Sequence, residues 1–321
     1  MFDIITVGHS TIDYFLKLRE ADVHLHEDGD SLLCVDFADK IPLESFEEYV
    51  GGNATNTAVG CARLGLDTAI VSWIGKDLEG EFVLKTLKEE GVDSMWIRIS
   101  EEDSTDQSVI LNFQGERTIF SYHPSRTPHL PENVPETKYV YLTSSGVDFQ
   151  ELHVQVAHYV GQVGAKLAYN PGTHELEAGV EKNRAVLECC QVLILNSEEA
   201  GELARGKFVD FEEDKRAQQI GELMQELRDA GPEIVAVTDG GLGSYVFDGK
   251  NIIFVPPVET EVVEMTGAGD SFSAGFLSAL VRGKDLKTAL KWGNTNAASV
   301  ISQVGSQAGL LSREDLRSRD L

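Results

Sequence analysis

Two hydrophobic rhythms divide the chain. Residues 4–8 form a short apolar run ending in Gly8, which predicts a buried strand. Beyond Gly51, Gly52 and Asn53 a small-residue helix runs to about Gly65, a strand follows at 69–73, and a helix at 78–90 stops at Gly91. Phe82, Val83, Leu84 and Leu87 give that helix one apolar face. From residue 95 to 123 the period changes to two. Val109, Leu111 and Phe113 alternate with Ile110 and Asn112, and 118–122 answers them across Gln114, Gly115 and Glu116, a hairpin signal. With a strand predicted at 32–37, the hairpin makes a small β-sheet apart from the main body.

After Pro135 strands at 139–142, 166–169, 192–195 and 234–237 alternate with helices at 151–163, 180–190, 198–205 and 214–230. That alternation predicts a parallel sheet with helices on both faces. A second hairpin joins 245–247 to 252–255 across Asp248 and Gly249. Phe272, Phe276, Ala279 and Leu280 then mark a helix that stops at Gly283, and another runs over 286–301.

Composition narrows the partners. The 321 residues leave room for one large α/β domain or two domains. Acidic residues number 53 against 27 basic, a net charge of −26, which disfavours nucleic acid and anionic membrane surfaces. A polyphosphate bound by so acidic a chain needs local compensation from metal ions and backbone N–H groups. Cys34, Cys61, Cys189 and Cys190 show neither CxxC nor metal-ligand spacing and read as buried, reduced thiols. No apolar run approaches the roughly 20 residues of a membrane span, and no leader pattern opens the chain, so a cytoplasmic location is expected.

The candidate chemistry centres on 264–283. Gly267, Ala268 and Gly269 form a side-chain-poor turn into a helix. Such a turn leaves N–H groups without partners at the positive end of a helix dipole, a site for phosphate. Asp270 sits on this anion site, where a carboxylate is tolerable if it works as a base; an ordinary N-cap is the alternative. Open parallel sheets bind ligands outside the carboxyl ends of their strands. Asp13, Asn170, Asn196 and the Thr238, Asp239, Gly240 segment fall at such ends and define one rim. Gly52 brings backbone close to a ligand, while Asn53 and Asn56 add amides suited to a polyol or sugar. Asp13 has two oxygens for adjacent hydroxyls. Asn196 and Glu199 suit a water-clad Mg²⁺, or else a helix capping box. Thr238 to Gly243 is suited to a nucleotide, but it is not GxGxxG and leads into a hairpin, which excludes a dinucleotide fold. The HLHED segment from His24 to Asp28 reads as a solvated loop.

With these pieces in place the chain resembles the ribokinase (PfkB-type) carbohydrate kinase family over nearly its whole length. GGNATNTAVGCARLG from Gly51, followed by IGKD and Gly80, looks like the family's N-terminal signature. EMTGAGDSFSAGF looks like its more specific C-terminal one; NSEE and VTDGGLGS match further motifs in the same order. The resemblance implies a three-layer α/β/α sandwich with a mostly parallel central sheet and a small β-sheet lid. Residues 1–13, 40–94 and 124–321 are expected in the core, 14–39 and 95–123 in the lid. It implies an ATP- and Mg²⁺-dependent kinase with Asp270 as catalytic base and Gly267, Ala268 and Gly269 as anion hole. Asp13, Gly52, Asn53 and Asn56 would bind the sugar, with Asn170 on the same rim. Asn196 and Glu199 would organise Mg²⁺ and phosphates. Thr238, Gly240, Gly243 and, near Gly305 to Gln307, Asn294 would line the nucleotide. Members commonly have Asp where Glu264 stands, and in many it helps hold a monovalent cation, so K⁺ dependence stays open.

Two other readings compete with a sugar kinase. VGHSTIDYF is similar to some archaeal nucleoside kinases, and Phe15, Phe113, Phe120 and Tyr122 offer aromatic cover for a base. A ligand-binding protein that kept the fold and lost catalysis is the other; intact Asp270 and an unbroken glycine turn argue against it. A lid edge strand also offers a pairing surface for a homodimer.

Overall fold

The computed structural model describes residues 1–25, 31–114 and 116–319. His26 to Asp28 of the HLHED segment and Gly115 of the first hairpin lie outside the described residues. Along the chain, β1 (Phe2–Val7) and β2 (Thr11–Leu18) come first, then β3 (Asp22–Leu25), β4 (Ser31–Cys34) and β5 (Leu43–Gly51). Next are α1 (Asn53–Arg63), β6 (Thr68–Gly75), α2 (Leu78–Glu89), β7 (Asp93–Ser100), β8 (Asp106–Phe113) and β9 (Glu116–Tyr122). The second half alternates β10 (Thr137–Leu142), α3 (Phe149–Val163), β11 (Lys166–Tyr169), α4 (Thr173–Leu187), β12 (Cys190–Asn196), α5 (Ser197–Arg205), α6 (Arg216–Asp229) and β13 (Ile234–Thr238). Strands β14 (Ser244–Phe247) and β15 (Ile252–Val255) precede α7 (Ala268–Val281), α8 (Leu286–Val300) and α9 (Arg313–Ser318).

Nine strands form the central sheet in the order β15-β14-β13-β12-β11-β10-β1-β6-β7. All pair in parallel except the meander β13-β14-β15. Both faces are covered, so successive side chains bury in opposite directions. Ile5, Val7, Val140, Leu142, Leu193 and Leu195 pack with α3 to α6. Ile4, Tyr139, Tyr141, Val192 and Ile194 pack with α7 and α8. This is why the sheet strands read as continuous apolar runs. Burying each such side chain contributes roughly 1.5–3 kcal/mol.

A four-stranded sheet, β5-β2-β8-β9, stands beside this body, and β3-β4 forms a separate ribbon. The expected hairpin of 109–113 and 118–122 is β8-β9. Three expectations are corrected. Residues 93–100 belong to the central sheet, because β7 pairs with β6 from Ala69↔Asp93 to Gly75↔Ser100. Residues 43–51, expected in the core, pair with β2 along its length, from Leu18↔Leu43 to Thr11↔Gly51. Residues 31–34 pair with β3 alone and do not join the β8-β9 hairpin. Among the cysteines, Cys61 and Cys190 are buried, Cys34 is half-buried and Cys189 is exposed, so the expectation of four buried thiols holds for two. No helix among the described residues is long and apolar enough to cross a membrane.

Candidate active site

Two helix N-termini meet at the site. Helices α1 and α7 approach so closely that a Cβ on Gly60 would lie 2.6 Å from the Ala274 Cβ. One turn and more toward their N-termini, Asn53 and Asn56 of α1 face Asp270 of α7. The Asn53 Nδ2 donates to Asp270 Oδ1 at 3.0 Å, and the Asn56 Nδ2 donates to Oδ2 at 2.9 Å. The Asn56 Oδ1 in turn accepts from Ser306 Oγ at 3.0 Å and Gln307 Nε2 at 2.9 Å. Burial pushes the Asp270 carboxyl up to about 6, against the pull of the Asn56 and Asn53 hydrogen bonds. The turn before it depends on Gly267, which has φ 79° and whose Cβ would sit 2.7 Å from Ser306 Cβ.

A cavity of about 290 Å³ opens beside Asp270, lined also by Asp13, Asn53, Asn56, Gly52 and Gly267. The four-stranded sheet supplies its opposite wall through Ser108, Ile110, Ile119 and Ser121. Asp13 lies on β2, within that wall, and not at the end of the first core strand. Thr11 Oγ1 donates to its Oδ1 at 2.9 Å. Burial pushes Asp13 up to about 6, and the charges of Asp270 and Glu264 push the same way. The paired glycines make this possible. A Cβ on Gly51 would fall 2.0 Å from Asp13 Oδ2, and one on Gly52, at φ 92°, would fall 2.5 Å from the His9 carbonyl oxygen.

A second cavity, about 340 Å³, lies across the same turn. Ala268 and Gly269 line it, with Thr238, Gly240, Gly243 and Asn294. Thr238 ends β13 and Asn294 sits on α8, where its Nδ2 donates to the Pro256 carbonyl at 3.0 Å. The structure does not bring every candidate to a cavity. Asn170 lines neither; its Nδ2 donates to the Ile194 carbonyl at 2.9 Å and ties two strand ends together. Asn196 and Glu199 also line neither, and form a capping box at the start of α5. Burial pushes Glu199 up to about 7, with the Asn196 backbone hydrogen bond opposing and the charge of Asp270 adding to the rise. Ser306 and Gln307 reach Asn56 and not the cavity of Asn294.

Other contacts join the glycine turn to the small sheet and close the far end of the cavity. Glu264 is buried, and its Oε1 accepts from the Thr266 N–H at 2.8 Å and the Thr266 hydroxyl at 2.6 Å. Arg117, from β9, reaches the same oxygen at 3.3 Å. The small sheet is thereby linked to the glycine turn. His9 and His123 line the first cavity at the end away from that link. For Asn53 and Asn56 a signal existed: three residues apart, they share one helix face.

Comparison with known proteins covers almost the whole chain. Residues 19–313 match the profile described as pfkB family carbohydrate kinase. A nucleoside kinase of Methanothermobacter thermautotrophicus is 25% identical over 317 residues, spanning 96% of this chain and 92% of its own. An ATP-dependent 6-phosphofructokinase of Thermoanaerobacterium thermosaccharolyticum is 25% identical over 329 residues, spanning 99% and 93%. Among solved structures, Arabidopsis thaliana ribokinase complexed with ribose and ATP superposes with a TM-score of 0.80 at 21% identity, covering 99% of this chain and 98% of its own. The large parallel sheet with its separate small sheets is therefore the ribokinase-like fold.

Proposed function

Because the chain belongs to the pfkB family of carbohydrate kinases, ATP-dependent phosphotransferases acting on sugars, we propose that Asp270 is its general base and that the glycine turn is its anion hole. One observation carries this reading: the turn borders both cavities. Gly267 and Asp270 face the first, Ala268 and Gly269 the second. An acceptor hydroxyl beside Asp270 and a γ-phosphoryl group over the turn then stand in line.

The chemistry follows from the residues in place. Asp270, held at both oxygens by the two amides, takes the proton as the acceptor oxygen attacks. The N–H groups at the start of α7 meet the charge that builds on the phosphoryl oxygens. Asp13 accepts hydrogen bonds from hydroxyls of the acceptor. The four-stranded sheet acts as a lid that keeps water from the phosphoryl group. Thr238, Gly240, Gly243 and Asn294 line the donor nucleotide. Asn196, the sheet neighbour of Thr238, and Glu199 would hold Mg²⁺ in part through water: the capping box uses Glu199 Oε2 and Asn196 Oδ1, leaving Glu199 Oε1 as an oxygen ligand. When bound, the ion would spread the negative charge of the polyphosphate.

A sugar acceptor fits better than a nucleoside. Among the described residues no Phe, Tyr or Trp lines the first cavity. Phe15 is buried against Tyr49, while Phe120 and Tyr122 are exposed. The test is ADP release across a panel of sugars, sugar acids, sugar phosphates and nucleosides. No acceptor-dependent ADP release with any member would overturn the kinase reading.

A further inference from the structure

Three elements converge at the far end of the acceptor cavity. His9 follows β1, Asp106 opens β8 and His123 follows β9. His9 Nδ1 lies 2.6 Å and His123 Nδ1 2.8 Å from the same oxygen, Asp106 Oδ2. The Arg126 guanidinium lies 2.9 Å from Asp106 Oδ1 and is itself tied to the Trp73 and Ser104 carbonyls. Burial would push the Asp106 carboxyl up, but the His123 and His9 hydrogen bonds and the Arg126 charge outweigh it and hold it down at about 2.

An ionised carboxylate only accepts, so both Nδ1 atoms carry hydrogen. Each ring is left with Nε2, for which no protein partner is found among the described residues. The hydroxyls of Ser144 and Thr173 line the cavity with them. Along the sheet, Thr11 pairs with Asp106 and Asp13 with Ser108, so this cluster lies one two-residue step, roughly 6.6 Å, from the row of Asp13. That is the span of one sugar. The cavity therefore has two unlike ends. Asp13 and Asp270 mark one, with Arg117 beside them engaged by Glu264, while two imidazoles braced by buried Asp106 and half-buried Arg126 mark the other. A ring-bearing nucleoside finds no Phe, Tyr or Trp there among the described residues.

We propose that His9 and His123, braced by Asp106 and Arg126, form a subsite for an anionic group of the acceptor, a carboxylate or a phosphate remote from the hydroxyl that reacts. The substrate is then a sugar acid or a sugar phosphate. Hydrogen bonds donated from Nε2 of both rings to the anion would be charge-assisted, with the Asp106–Arg126 brace behind them. A metal ion is the competing occupant of a His–Asp–His cluster. At the three atoms that face one another it would have to displace two N–H protons beside a guanidinium.

This inference rests on the kinase reading, and the experiment separates the two. Acceptor-dependent ADP release is measured for matched sets: neutral sugar, the corresponding acid, the corresponding phosphate and a nucleoside. The expected result is a kcat/KM for the acid or the phosphate at least tenfold above the neutral parent. The acid and phosphate arms tell which anion it is. In His123→Ala, and separately in His9→Asn, that ratio should fall at least tenfold, mainly through the KM of the anionic acceptor. Preference for neutral sugars or nucleosides overturns the subsite and leaves the kinase intact. So does an equal loss for charged and neutral acceptors, which marks a structural role. Stoichiometric metal in the purified enzyme that is lost in His123→Ala assigns the cluster to a metal and also overturns it. No phosphorylation of any member overturns both readings.

Discussion

Replacing Asp270 by asparagine removes the proposed base and keeps its shape. A general base typically contributes about 10² to 10⁴ in rate, so turnover should fall by that factor. The native carboxyl titrates at about 6, raised from 3.8 by burial. Its native pKa lies above its unfolded one, so the native state binds the extra proton between those values. Stability therefore falls as pH rises through the window from 3.8 to about 6. A shift of this size corresponds to a cost of about 3 kcal/mol at neutral pH, absent below about pH 4. Asparagine escapes that cost. It offers only one acceptor oxygen to the two amide donors of Asn53 and Asn56, so one donor is left unpaired at roughly 1–3 kcal/mol. The two effects nearly offset, and the variant should be at least as stable as wild type at pH 7 and less stable at pH 4. Wild-type kcat/KM for the acceptor should fall about tenfold per unit below about pH 6, as the base is protonated. Circular dichroism and urea unfolding establish the fold; coupled ADP release gives the rate. A folded variant that keeps more than a tenth of wild-type turnover, or a wild-type profile flat from pH 5 to 7.5, refutes the assignment.

Other predictions follow from the same geometry. Asp13→Ala should raise KM for the acceptor at least tenfold while KM for ATP changes less than twofold; equal effects would remove Asp13 from the acceptor cavity. Gly267→Ala places a Cβ 2.7 Å from Ser306 Cβ at φ 79°, so stability should drop by about 1–2 kcal/mol and kcat at least tenfold. A loss of stability without loss of kcat would place the turn outside the reaction. Glu264 already holds the turn through the Thr266 N–H and hydroxyl and is met by Arg117. Initial rates should therefore change less than twofold between KCl and choline chloride at matched ionic strength, a match needed for a chain of charge −26. A K⁺-specific rise above about tenfold, equivalent to about 1.4 kcal/mol, would show that an ion and not these bonds shapes the turn.

The parts of the fold that were legible are those where burial follows a period. Strands 139–142 and 192–195 are buried on both faces and read as apolar runs, and the helix of 268–281 reads from its glycine turn. Strand β5 was missed because Glu44, Glu47 and Glu48 interrupt its apolar positions. Strand β2 was missed because Thr11, Ile12 and Asp13 are all buried, one side under the body and one toward the cavity, which no alternation template fits. The motifs pointed Asp270, Asn53 and Asn56 toward one site, and the structure brings the three side chains together. The motifs did not show that the amides spend their donors on Asp270 itself, since that depends on how near α1 comes to α7. Sequence distance hides the contacts of Arg117 with Glu264, 147 residues apart, and of His9 with Asp106, 97 apart.

The α1–α7 contact decides whether Asp270 can be a base at all. Residues without side-chain bulk, Gly60 and Ala274, let the helices touch. That contact fixes the axial offset of their N-termini, and the offset sets both amides against one carboxylate. Burial without the amides would push the carboxyl further up and leave less of it ionised to take a proton. The amides without burial would leave it near or below 3.8, ionised but a feeble base. Catalysis is best served when the pKa lies close to the working pH, and a value of about 6 is the balance of these two opposing influences. A larger residue at position 60 would therefore act at a distance. By pushing the helices apart it would lengthen the hydrogen bonds that both amides donate to Asp270, raise the pKa of Asp270 and move the acid limb of the rate profile upward, with no residue of the proposed substrate site itself replaced.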